Sequence, residues 1–340
     1  EEARWSSGRG MVATLKDVAR LAGVSPITVS RTLNHPDLVT PETRNSVEAA
    51  VERLGYVPNR VAGSLNSNRS RLVAAIVPTI STPMFAEIVE ALSDQLRPAG
   101  YEVLLAIAGF DGTGVREEEL VAAILGRRPD AVFLTGITHT RRTRQRLLGA
   151  GIPVVEGWDL SPNPLDMSIG FSHEAVGRAA ARHLLDRGRR RLAVIAAADG
   201  RARKRAGGFL MELADRGYTP IESREVDAPG TPFGGRSVLA DWEGRGLEID
   251  GVFCSSDAIA HGVHTEANAR RLGIPSRLAI VGFGDFAFAR SLDPPLTTVS
   301  IDRHRLGTIA AEAILTEIGG GRAAERTIDI GYELIPRGTS

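Results

Sequence analysis

From Leu72 onward, short unbroken apolar runs alternate with stretches whose apolar residues recur at helical spacing. LVAAIVP (72–78) predicts a strand, followed by a helix from about Met84 to Arg97. EVLLAIA (102–108) leads into a helix from about Val115 to Leu125. AVFLT (131–135) leads into one from about Thr140 to Leu148, and IPVVE (152–156) follows. A second series runs RLAVIA (191–196), a helix to about Arg216, GVFCS (251–255), a helix to about Leu272, and LAIVGF (278–283). Strands that are apolar throughout are buried on both faces, and their alternation with helices predicts doubly wound parallel sheets. Two such series predict two α/β lobes.

Residues 14–55 carry a different pattern, three short helices. LKDVARLA (15–22) places Val18, Leu21 and Ala22 on one face, and Gly23 ends it where a tight turn wants positive φ. Val24 plugs the turn. Ser25 is a natural N-cap with Pro26 at N1, and the second helix runs to Asn34 with Val29 and Leu33 inward. Thr40 and Pro41 open a third helix with the stripe Val47, Ala50, Val51, Leu54, closed by Gly55. Helix, glycine turn, helix and a supporting third helix make a DNA-binding helix-turn-helix. The second-helix positions Pro26, Ile27, Ser30 and Arg31 are expected to face base edges, Arg31 being able to grip guanine bidentately. Thr14, Leu15, Ser25, Thr28, Asn34 and Thr43 complete the expected DNA-facing set.

Residues 59–70, NRVAGSLNSNRS, are too short and too poor in helix formers to be helical alone. Yet Val61, Ala62 and Leu65 fall at helical spacing. One reading is a segment that folds on DNA, with Asn59, Ala62 and Leu65 at the minor groove and Leu65 wedged between base steps. The other is a flexible tether with an incidental leucine. The expected organisation is a disordered tail (1–13), the head (14–58), a hinge (59–70) and a two-lobed core (71–340).

Composition adjusts this picture in three places. One cysteine, Cys254, rules out an intrachain disulfide framework and a cysteine-built metal site. The net charge is zero, but residues 1–71 hold ten Arg/Lys against seven Asp/Glu, and the remainder 31 against 34. A mildly basic head on a mildly acidic body suits a nucleic-acid module joined to a body that does not bind nucleic acid. No apolar run approaches ~18 residues and EEARWSSGRG (1–10) has no apolar core, so the expectation is a cytoplasmic protein with no membrane segment.

TLKDVARLAGVSPITVSRTLN followed by LGYVPNRVAGSL resembles the lac-repressor/galactose-repressor family of bacterial transcription regulators. FSHEAVGRAAARHLLDRGRRRLAVI (171–195), DGVFCSSDAIAHG (250–262) and IVGFGDFAFARSLDPPLTTVSID (280–302) are similar to its core. Four stretches look most like the gluconate-operon repressor branch: residues 69–92, FLTGITHTRRT (133–143), IPVVEGWDLSPNPLDMSIGF (152–171) and IDIGYELIPRGTS (328–340). The resemblance implies a homodimer on palindromic double-stranded operator DNA, a hinge helix at about 59–67, and a periplasmic-binding-protein-like core whose cleft takes a small effector. It implies no cofactor, metal or enzymatic activity. IDIGYELI is not followed by a leucine-heptad helix, so a dimer is expected rather than a tetramer.

Ligands of open α/β sheets bind beyond the carboxyl ends of the strands. Those ends offer Thr79, Ser81, Met84 and Phe85, then Thr138 and His139, Trp158, Arg201 to Arg205, Ser255 to Asp257, and Gly284 with Asp285. The resemblance implies that Phe85, Trp158, Arg205, Ser256, Gly284 and Arg303 line the effector cleft. Glycine at 284, where relatives that bind neutral sugars often carry Asp, together with Arg205 and Arg303, points to a sugar acid such as gluconate clamped by guanidinium. Asp285 next door weighs the other way. Glu156 and Asp159 are expected to play a structural part, with pairing to these arginines or to ligand hydroxyls as the alternative. His261 and His264 share a helix face, but no third metal ligand is evident. The alternatives left open are a neutral sugar, a sugar phosphate or a corepressor, and more remotely a transport component or carbohydrate enzyme on the same core. No P-loop, HExxH, GxSxG or strand-borne GxGxxG occurs.

Overall fold

The computed structural model describes residues 13–57, 69–110 and 112–340. They fall into two compact units, one ending at Ser70 and one running from Arg71 to Ser340. The N-terminal tail through residue 12 and the hinge residues Asn59, Ala62 and Leu65 lie outside the described residues.

The head comprises α1 (Leu15–Ala22), α2 (Pro26–Asn34) and α3 (Pro41–Leu54). A capping box opens α1: Asp17 N–H donates to Thr14 Oγ1 at 3.3 Å, and Thr14 N–H donates back to the Asp17 carboxylate at 3.0 Å. Gly23 ends it at φ 68°. Ser25 caps α2, accepting from Thr28 N–H at 3.1 Å, with Pro26 at N1. Val18, Ala19, Val29, Val47, Ala50 and Tyr56 form the buried centre, with Leu15, Ala22, Leu33, Val51 and Leu54 packed on it. One expectation is corrected here. The inward stripe of α1 is Leu15, Val18, Ala19, Ala22, a regular i, i+3, i+4, i+7 series, and Leu21 is exposed.

The second unit begins β1 (Leu72–Val77), α4 (Pro83–Leu96), β2 (Glu102–Ile107), α5 (Val115–Leu125), β3 (Ala131–Thr135), α6 (Arg141–Ala150), β4 (Val154–Gly157), β5 (Met167–Gly170). It continues α7 (His173–Asp186), β6 (Leu192–Ala197), α8 (Gly200–Asp215), β7 (Glu222–Val226), α9 (Pro232–Gly244), β8 (Gly251–Cys254), α10 (Asp257–Ala269), β9 (Ala279–Phe283) and β10 (Thr297–Ser300). It ends with α11 (Arg303–Ile318), β11 (Thr327–Asp329) and β12 (Glu333–Ile335). The first sheet has the order β11-β5-β4-β3-β1-β2 and the second β12-β10-β9-β8-β6-β7. All pairings are parallel except β12, which runs antiparallel to β10. The chain crosses between lobes three times, after β5, after β10 and after β11.

Strand order reverses beside β1 in one sheet and beside β6 in the other. The carboxyl ends of β1/β3 and of β6/β8 are therefore the two places where flanking helices diverge and leave a crevice. Close helix packing fixes the walls. A Cβ on Gly177 of α7 would stand 1.8 Å from the Arg205 carbonyl oxygen of α8, so these helices touch backbone to backbone.

Candidate functional site: an interlobe cleft and a helix-turn-helix face

The crevice is a cavity of about 50 Å³ lined by residues of both lobes. Phe85, Met84 and Trp158 come from the first lobe, and Arg201, Arg205, Ser255, Ser256 and Phe286 from the second. Trp158 is the hub of an aromatic cluster. Its ring meets Phe85 edge-on at 5.8 Å, Phe171 at 4.9 Å and Phe283 at 6.2 Å. Its backbone sits at φ 73°, uncommon for a bulky residue, and is held there by two bonds: Trp158 N–H donates to Ile169 O at 3.0 Å, and His173 Nε2 donates to Trp158 O at 2.9 Å.

Arg205 is buried behind this cluster. Its Nη1 donates to His173 Nδ1 at 2.8 Å, its Nη2 to Ser255 O at 2.9 Å, and its guanidinium lies 4.0 Å from the Phe283 centroid. Because arginine only donates, Nδ1 of His173 must accept, which fixes the neutral Nε2–H tautomer. Burial, then the charges of Arg205, Arg201 and Lys204, keep the His173 pKa well below the ordinary histidine value. Burial also lowers the Arg205 pKa to about 10, so it remains charged at neutral pH. Arg201, one turn earlier on the same face of α8, lies 5.2 Å over the Phe85 ring of the other lobe. The Arg201 Nη1 and the Arg205 Nε are buried without a hydrogen-bond partner among the described residues.

Of the six residues that the family resemblance implies, Phe85, Trp158, Arg205 and Ser256 line this cavity, as do Met84, Arg201 and Ser255 among the strand-end positions. Ser256 spends its hydroxyl capping α10, accepting from Ile259 N–H at 3.3 Å. Thr79 and Ser81 bond each other at 2.7 Å outside the lining. His139 is buried in the first lobe: its Nδ1 is 2.7 Å from Glu117, and its Nε2 is 3.2 Å from Glu156, close enough for an ion pair although not aligned as a hydrogen bond. Burial opposes the charge on this ring, yet Glu117 and then Glu156 overcome it and raise its pKa to about 9. Asp285 binds Arg337 at 2.6 Å and Arg290 at 3.4 Å. Arg303 donates to Glu87 at 2.5 Å and to the Gly284 carbonyl. Glu156 and Asp159 have the structural partners expected of them: Glu156 accepts from Leu165 N–H at 2.6 Å, and Asp159 pairs with Lys204 while its charge also reaches Arg201 and Arg205. Gly284 has its own backbone reason, since its φ is 125° and a Cβ would meet the Phe286 ring at 2.9 Å.

The lining also holds Thr82, Asp199 and Phe110, which sequence reasoning did not single out. A signal for Arg201 existed. Within RARKR, positions 201 and 205 are i, i+4 and share the face of buried Ala202 and Phe209. Cys254 is buried, which pushes its thiol pKa up. His261 stacks on Phe288 at 5.0 Å and His264 donates to Pro294 O at 3.1 Å. No group of three or more His, Cys, Asp or Glu is placed to hold a metal among the described residues.

On the head, Pro26, Ile27 and Arg31 of α2 are exposed, Ile27 to 72%, and Ser30 is partly so. Thr28 and Asn34 are engaged locally, Asn34 Nδ2 donating to Ser30 O at 2.8 Å. Thr43 bonds its cap residue Thr40, and Leu15 packs on the head's core. No helix of the described residues is long and apolar enough to cross a membrane.

A helix-turn-helix unit followed by a two-lobed core with an interlobe cavity is the arrangement of a DNA-binding transcriptional regulator. Residues 14–59 match the bacterial regulatory proteins of the lacI family, and residues 181–340 a periplasmic binding protein-like domain. The chain belongs to the lacI family. It is 37% identical over 326 residues to the HTH-type transcriptional regulator GntR of Pseudomonas aeruginosa, covering 95% of this chain and 94% of that one. The Escherichia coli K12 regulator GntR is 32% identical, covering 96% and 98%. Among solved structures, a LacI-family regulator from Silicibacter pomeroyi superposes with a TM-score of 0.90 at 32% identity, covering 96% of this chain and 99% of that one. The lac repressor dimer bound to operator and the anti-inducer ONPF superposes with a TM-score of 0.84 at 27% identity, covering 97% and 99%.

Proposed function

We propose that this regulator is a cytoplasmic repressor that binds a palindromic operator as a homodimer and answers to a small sugar acid of the gluconate type. The observation that carries the ligand class is the cavity itself, where the partly buried Arg201 guanidinium lies over Phe85 of the opposite lobe and the buried Arg205 guanidinium over Phe283 of its own. Aromatic faces suit the C–H surface of a sugar chain, and guanidinium suits a carboxylate. Similarity to GntR regulators over nearly the whole chain supports the same reading. Because the cavity lies between the lobes, an effector bound there can favour one arrangement of the core over another.

The dimer is supported by the lac repressor structure and by the edge strand β2, which leaves Leu105 and Ile107 about 40% exposed where another copy can cover them. In each head, Arg31, Ile27, Pro26 and Ser30 read bases while Thr14, Ser25 and Thr43 approach the backbone.

A thermal-shift screen of the full chain over gluconate, 2-ketogluconate, idonate, 6-phosphogluconate and the matching neutral sugars tests the ligand class. Sugar acids should raise the midpoint by mass action on the folded state. Stabilisation by neutral sugars alone would refute it.

A further inference from the structure

The two cleft arginines are not equivalent. Arg205 has committed both terminal nitrogens to His173 and to Ser255 O, and it lies beneath the Phe283 ring. Those bonds hold β8 and the start of α7 to α8, so Arg205 is a structural tie with only Nε left over. Arg201 makes no comparable commitment. Asp199 is 3.9 Å from its Nε, but that carboxylate caps α8 through Arg201 N–H and Ala202 N–H, both at 3.0 Å. Its Nη1 is buried, without a hydrogen-bond partner among the described residues, and beside Gly136, where a Cβ would come within 4.0 Å. A buried N–H of a charged group without an acceptor is costly, and a carboxylate oxygen is the acceptor that a guanidinium matches best.

We infer that Arg201 is the residue that reads the effector's acid group, while Arg205 positions the cleft floor. The inference rests on the sugar-acid reading above and assigns its charge recognition to one side chain. Arg201 also stacks across the cleft on Phe85, so the group that grips the carboxylate is the one that touches the opposite lobe. An acid bound there joins the lobes through the Arg201–Phe85 contact, whereas a neutral analogue leaves that N–H without a charged acceptor. Arg303 has no part in this, being held by Glu87 and the Gly284 carbonyl.

Calorimetry on the full chain tests it, with gluconate and its neutral counterpart glucitol as probes. The wild type should favour gluconate by at least ~100-fold. Arg201→Gln should erase most of that preference by weakening gluconate ~100-fold while moving glucitol less than about threefold. Arg201→Lys, which keeps the charge but loses the fork, should fall between, and it serves as the second variant if Arg201→Gln shows a disordered circular dichroism spectrum. A wild type selective for gluconate whose Arg201→Gln and Arg201→Lys forms stay equally selective would overturn the assignment alone. A wild type that binds glucitol as tightly as gluconate would overturn the sugar-acid reading and the assignment with it.

Discussion

Lys204 Nζ lies 2.5 Å from Asp159 Oδ2, joining α8 of one lobe to the loop after β4 of the other. Asp159 is nearly buried and its second oxygen accepts from Leu160 N–H at 2.9 Å, whereas Lys204 is well exposed. The pair is therefore intermediate between a screened surface bridge and a desolvated one. Lys204→Met should lower the unfolding free energy of the core by about 1–2 kcal/mol, since Asp159 then stays buried without its cation. It should also make the core less sensitive to salt. Urea titrations at low and high NaCl check both, and a midpoint unmoved by the substitution would mean that the pair contributes nothing.

His139 carries a stability that depends on pH. Its folded pKa, about 9, lies above the ordinary 6.5. A raised histidine favours folding fully below pH 6.5 and loses that contribution as pH climbs through 9. The difference corresponds to an order of 3 kcal/mol. His139→Gln should be less stable than wild type at pH 6, and the gap should narrow by roughly that amount by pH 9.5. Unfolding curves of both proteins across that range decide it. A gap that does not change with pH would place a neutral imidazole between Glu117 and Glu156.

These contacts mark the limit of what the sequence discloses. Strands such as β1, β3, β6 and β8 are buried on both faces, so their unbroken apolar runs announce them. β7, ESREV, is an edge strand with charged residues on both of its faces, and β11 and β12 are three residues each, too short for a pattern. The periodicity of α9 and α11 is blurred by glycines that the packing requires: Gly235 against the Ile259 carbonyl and Gly307 against the Ile88 carbonyl. Residues such as Phe85 and Arg205 were accessible because topology sends strand ends to the crevice. Their partners were not. Arg303 finds Glu87, Asp285 finds Arg337 and Lys204 finds Asp159 across long sequence separations that no local pattern encodes.

Adjacent glycines in α8 should respond with opposite sign. Nothing lies within 4 Å of a Cβ built on Gly207, whereas one on Gly208 would stand 2.1 Å from the Glu174 carbonyl oxygen of α7. Gly207→Ala should stabilise by about 0.5–1 kcal/mol through helix propensity alone. Gly208→Ala must push α7 from α8 and should cost about 1–3 kcal/mol. The same separation would pull His173 away from Arg205, so effector binding should weaken with it. Thermal melts of the two variants, compared directly, check the sign, and equal shifts would contradict the close approach of these helices.

Arg31 is the exposed guanidinium on the face of α2 that points away from the head's core, and its neighbour Thr32 is turned inward. A bidentate contact to guanine O6 and N7 discriminates one base pair, and losing it costs about 1–3 kcal/mol. Arg31→Ala should therefore weaken operator binding and relax preference at a single position in each half-site, symmetric about the operator centre. A phosphate contact behaves differently: its loss weakens every sequence alike and lowers the salt slope by about one. Selection from random duplexes identifies the wild-type operator, and gel shifts on every single-base variant at two salt concentrations then separate the two outcomes. Preference relaxed at one symmetric position makes Arg31 a base reader. A uniform loss with a shallower salt slope would assign it to the backbone and leave Ile27 and Ser30 to carry the specificity of this helix.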